Sequence, residues 1–114
     1  MEEIVSLNDK DILELEKIRV EIISSQALDE DFDEEFKMNN VGKKFTKISP
    51  VMGAGFSIPR LGNEVWPQLN TMYVIYCSKK EANTIAQIVI KLRKLYPTEG
   101  IAMFLSKANE LFSY

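Results

Sequence analysis

The chain has 114 residues, enough for one domain with a modest core, and its net charge of −3 with a pI near 5.0 excludes a nucleic-acid reader, which needs a basic face. It has no histidine, so the commonest general base near neutral pH, the commonest zinc ligand and any Ser-His-Asp or Cys-His site are all absent. No apolar run reaches membrane-spanning length, and Met1-Glu2-Glu3 opens acidic instead of as a charged-then-apolar leader, so a protein that is not membrane-embedded and is cytoplasmic is expected.

Residues 1–16 set Ile12 and Leu15 among Asp9, Asp11, Glu14 and Glu16, which predicts an acidic arm or short helix outside a domain spanning 17–114. From Lys17 to Ser25, Ile18, Val20 and Ile22 alternate with Arg19 and Glu21. This β-branched, period-two pattern predicts a strand. A helix follows to Asn40, because Leu28, Phe32 and Phe36 recur every four residues and can form one buried stripe. The acids around that stripe, Asp29, Glu30, Asp31, Asp33, Glu34 and Glu35, lack the spacing of a calcium loop and read as a solvated face. Gly42 stands where a residue closing that helix would.

Lys43 to Met52 predicts a second strand, with Phe45, Ile48, Val51 and Met52 between lysines. Residues 53–69 form one long connection that contains Phe56, Ile58, Leu61, Val65 and Trp66. A loop of that length and apolar content points to binding rather than spacing.

Thr71 to Cys77 is a β-rich run, apolar on both faces. Cys77, the single cysteine, has no internal disulfide partner and reads as a small core hydrophobe. Ser78-Lys79-Lys80-Glu81 has the form of a capping box, in which Ser78 takes the Glu81 N–H and Glu81 reaches back to the Ser78 N–H. Behind it Ala82, Ile85, Ala86, Val89, Leu92 or Arg93, and Tyr96 fall at helical spacing, with Ile88 and Leu95 widening the face. Pro97 stops this helix of about five turns, Gly100 permits a turn, and Ile101 to Leu105 forms a last strand. Ser106 can then cap a short final helix from Lys107 to Phe112.

The order β, α, β, long loop, β, α, β predicts an α+β, ferredoxin-like βαββαβ fold with an antiparallel sheet and short extra helices at both termini. Two helices cover one sheet face. The other should be polar if solvated, yet Met72, Val74 and Tyr76 stand opposite Tyr73, Ile75 and Cys77, and Ala102 and Phe104 opposite Ile101 and Met103. Something must cover that face, and another copy of the chain is the simplest candidate.

With this element order, the long loop between the second and third strands, Gly53-Ala54-Gly55 at its start, and Tyr96-Pro97-Thr98-Glu99-Gly100-Ile101 before the last strand, the chain resembles the nitrogen regulatory P-II-like (GlnB-like) superfamily of signalling proteins. The resemblance implies a homotrimer, with an adenine nucleotide or cyclic dinucleotide as ligand in clefts between subunits and no obligatory cofactor. It places ligand contacts at Val51, Met52, Gly53, Ala54, Gly55, Phe56, Arg60, Thr98, Glu99 and Gly100. It makes Ile58, Leu61 and Trp66 the loop residues that meet a target protein. Glycine N–H groups can approach phosphate closely, Arg60 could pair with it as a planar fork, and Phe56 could stack on a base. The turn itself carries Glu99 and neither Lys nor Arg, an acidic neighbour for a polyphosphate.

Three functions compete on this reading: a ligand-sensing regulator, an interaction module that uses the same apolar loop without a ligand, and an enzyme. The enzyme is disfavoured, because Glu99 and Tyr73 are its only acid–base candidates.

Overall fold

The computed structural model describes residues 16–53 and 69–112. Strand β1 (Glu16–Ser25) runs into a 3₁₀ turn (Gln26–Leu28) and helix α1 (Asp29–Met38); β2 (Phe45–Val51) and β3 (Asn70–Cys77) follow, then α2 (Lys79–Leu95) and β4 (Ile101–Asn109). The strands form one sheet in the order β2-β3-β1-β4, with every neighbouring pair antiparallel, and both helices lie on one face. This is the expected βαββαβ arrangement. The proposed N-terminal arm and most of the long connection lie outside the described residues.

The core forms where the helical stripes meet the covered face of the sheet. Val20 and Ile22 of β1, Tyr73, Ile75 and Cys77 of β3, and Ile101 of β4 lie under Leu28, Phe32 and Phe36 and under Ala82, Ile85, Ile88, Val89 and Leu92. Tyr73 is the hub. Its ring meets Phe32, Phe36 and Phe45 at centroid separations of 5.5, 6.0 and 6.1 Å, mostly edge to face. Leu92 rather than Arg93 completes the α2 stripe. Leu95, expected to widen it, is exposed, because the helix ends there and turns the residue outward.

Four expectations are corrected. The final helix over Lys107–Phe112 does not form, since β4 continues to Asn109. Lys107, Ala108 and Asn109 pair with Ile18, Lys17 and Glu16, and Lys107 lies 3.7 Å from the Glu16 carboxylate. Ladder bonds to β1 outweigh a weak local helix signal at Ser106.

The capping box is half made. Ser78 accepts the Glu81 N–H at 3.1 Å, but the Glu81 carboxylate accepts the N–H of Gly42 at 2.9 Å instead of reaching back to Ser78. The left-handed residue just past α1 is Asn40 (φ 55°), and Gly42 (φ 64°) makes a second left-handed step, where a Cβ would lie 2.8 Å from the Phe36 ring. Finally, the acidic run on α1 is only partly a solvated face. Asp29 pairs with Lys47 at 3.0 Å, Asp31 accepts from the Tyr96 hydroxyl at 2.9 Å, and Glu35 pairs with Lys91 at 2.7 Å, so half of the run fastens α1 to β2 and α2.

The register places Ile23, Met72, Val74, Tyr76, Ala102 and Phe104 on the face without helices. Phe104 is 55%, Ile48 47% and Tyr76 43% exposed. In the middle of this apolar surface Arg19 and Glu21 form an ion pair at 3.1 Å, and the neighbouring Tyr76 and Glu21 hold the Arg19 charge more firmly than water does.

Candidate functional site

The described candidate ligand residues lie at one end of the sheet. Val51, the last residue of β2, pairs with Asn70; Asn70 pairs with Ser25; and the Ser25 N–H donates to the Gly100 carbonyl at 3.1 Å. One line across the sheet therefore joins the start of the long loop to the turn before β4. It crosses three strand spacings, about 14 Å at the usual separation. Val51 to Gly53 sit at the β2 edge and Thr98 to Gly100 at the β4 edge, so a single chain does not bring the two groups together. Ala54, Gly55, Phe56, Arg60, Ile58, Leu61 and Trp66 fall outside the described residues.

The junction of β1 with the 3₁₀ turn holds this end in place. The Gln26 N–H donates to the carbonyl of Leu69, where the long loop returns, at 2.8 Å. The Gln26 side-chain amide donates to Ser49 Oγ at 3.2 Å, and Ser49 Oγ lies 3.1 Å from Thr71 Oγ1. Ser24, Ser25 and Thr71 are fully buried. A buried hydroxyl needs a partner, so this network resists displacement and ties both ends of the long connection to the start of the 3₁₀ turn. The Ser49–Pro50 peptide is cis, within the irregular step of register between Ile48 and Val51. At Gly53 an added Cβ would lie 2.6 Å from the Asn70 side-chain nitrogen, so the start of the loop passes close against β3 and a larger residue there would displace the end of the Asn70 side chain.

At the β4 edge the turn is closed by the Glu99 N–H donating to the Tyr96 carbonyl at 3.1 Å. Beneath it Arg93, from the last turn of α2, donates through Nη1 to the Ile101 carbonyl at 3.3 Å. The sequence offered no sign that Gln26, Ser49, Thr71 or Arg93 belongs to this region. Arg93 reads there as the alternative to Leu92 in the helical stripe, and only the fold back through Pro97 carries it to the turn.

Neither Tyr73, weighed as an acid–base candidate, nor Cys77 is an activated group. The Tyr73 phenol is pushed well up by burial, by Asp29 and Asp33, and by its bond to Asp29 at 3.4 Å. Burial and then Glu81 push the Cys77 thiol up to about 11, so it is a core residue, as read from the sequence. Among the described residues no cluster of acids and cysteine has the makings of a metal site, and no helix is long and apolar enough to cross a membrane. Two surface clefts, of about 340 Å3 beside Lys17, Tyr76 and Phe112 and about 450 Å3 beside Phe36, Val41 and Phe45, lie at the opposite end of the sheet.

Solved structures share this architecture. The nitrogen regulatory PII-like protein CPII of Thiomonas intermedia K12, bound to ADP, AMP and bicarbonate, superposes with a TM-score of 0.64 at 13% identity, over 83% of this chain and 88% of CPII. A PII-like signalling protein of Thermus thermophilus gives 0.56 at 20% identity, over 82% and 88%. The fold is that of the P-II-like superfamily. Apo CPII also matches, with a TM-score of 0.51 at 10% identity over 83% of this chain and 94% of CPII. No family model matches the chain, and no curated protein matches it in sequence. The P-II-like likeness is therefore one of backbone path.

Proposed function

We propose that this chain is a small-molecule-sensing regulator. It binds an adenine nucleotide in clefts between copies of itself and passes the bound state to a protein target through residues 53–69. The observation that carries this reading is the division of the candidate site between opposite edges of one sheet. Side by side, the β2 edge of one copy and the β4 edge of the next would form one cleft, which a lone chain lacks. The apolar open face gives the copies a reason to associate, and the Arg19–Glu21 pair lets the charges there be buried already neutralised. The homotrimer expected from the resemblance would satisfy both. CPII, bound to ADP, AMP and bicarbonate, supports the ligand class. The role is regulatory rather than catalytic, in keeping with an unreactive Cys77 and a Tyr73 that holds its proton.

The test is mass by light scattering and melting temperature, alone and with ADP, AMP or a cyclic dinucleotide. The expected result is a particle three times the 13.1 kDa chain whose melting point rises with a nucleotide. At a hundredfold excess over Kd the stabilisation is about 2.7 kcal/mol. A monomer refutes the reading. A trimer indifferent to every ligand moves the assignment to an interaction module built on the same loop.

A further inference from the structure

The turn 97–100 is a poor phosphate neighbour by its own composition, because Glu99 is its only charged residue. The fold changes that balance. Gly100 directs its carbonyl to the Ser25 N–H, towards β1. Carbonyls alternate in direction along an extended chain, so the Ile101 carbonyl points away from β1, to the unpaired side of β4. The Arg93 guanidinium that meets it is therefore held at the open edge of the sheet, next to Gly100.

We infer that Arg93 is the cation of the β4-edge half-site and pairs with the phosphate groups of a bound nucleoside diphosphate. This rests on the nucleotide-binding reading above and names the residue that makes the site tolerate polyphosphate. One nitrogen of the guanidinium is spent on the Ile101 carbonyl, which fixes the side chain. The other donors have no partner among the described residues. A guanidinium offers five N–H donors in a planar fork, so a fork anchored at one corner still presents a face to two phosphate oxygens. Its anchoring also lowers the entropy lost when phosphate binds.

The test measures binding of adenosine, AMP and ADP to wild type, Arg93→Ala and Arg93→Lys by calorimetry, with melting temperature and mass recorded for each variant. If Arg93 pairs with phosphate, Arg93→Ala leaves adenosine affinity within about twofold and weakens ADP by about tenfold or more, with AMP between. It also flattens the salt dependence of ADP binding. Arg93→Lys, which keeps the charge without the fork, recovers part of the loss. An equal loss for adenosine and ADP overturns the inference, because Arg93 would then only brace the turn. So does ADP binding unchanged in Arg93→Ala. Wild type that binds none of the three refutes the nucleotide-binding reading itself, and this inference falls with it. Wild type that binds all three alike leaves that reading standing and refutes only the role of Arg93.

Discussion

Replacing Glu81 tests how the two halves of the fold are joined. Its carboxylate leaves the helix it starts and accepts the N–H of Gly42, thirty-nine residues earlier in the chain, at 2.9 Å. Gly42 is buried, so Glu81→Ala strands a donor that water reaches poorly. A hydrogen bond to a charged group contributes about 1.5–3 kcal/mol, and the acid's favourable place at the start of α2 adds a few tenths. For a domain of this size about 1 kcal/mol corresponds to about 4 °C, so the melting point should fall by roughly 6–12 °C. Glu81→Gln keeps an acceptor oxygen and should lose about half as much. Urea unfolding gives the free energies, and hydrogen exchange locates them. In Glu81→Ala the Gly42 amide should lose protection while the Ser78 amide keeps its wild-type rate. The reverse pattern would restore the reciprocal capping box and refute the account. So would a loss below about 0.5 kcal/mol with Gly42 still protected.

Gly42→Ala should destabilise by about 2 kcal/mol or more in urea unfolding, since it combines left-handed backbone with a Cβ 2.8 Å from the Phe36 ring, whereas Asn40→Gly should be close to neutral. Cys77, with its thiol pushed up to about 11, should react with iodoacetamide at pH 8.5 roughly a hundredfold more slowly than in urea. Its raised value means that its contribution to stability is intact below pH 9 and is lost as pH climbs through about 11, which alkaline unfolding of wild type against Cys77→Ala measures.

The parts of the fold that depend on local pattern were legible. Alternation gave β1 within one residue, and the four-residue recurrence of Leu28, Phe32 and Phe36 marked the buried side of α1. What failed was set by partners distant in sequence. Ser106 to Asn109 looks like a capped helix until the start of β1 is laid beside it, and Glu81 looks like half of a capping box until Gly42 arrives from across the molecule. Likewise Asp29, Asp31 and Glu35 look like any solvated acids, because Lys47, Tyr96 and Lys91 lie eighteen or more residues away in sequence. The candidate site was legible as two separate stretches. Their location at opposite edges follows from strand order, which periodicity does not encode, and Arg93 joins one of them only through the turn after α2.

The long connection leaves the sheet and rejoins it at fastened points. Val51 is paired to Asn70, and the Leu69 carbonyl is taken by Gln26. With its ends fixed in this way, the cost of closing the loop depends only on the logarithm of its length, so doubling it adds about 0.6 kcal/mol. The core, made by β1, β3, β4 and the two helices, is therefore insulated from insertions and substitutions between those points. Lineages carrying this scaffold could exchange the connection for another without renegotiating the stability of the rest of the molecule.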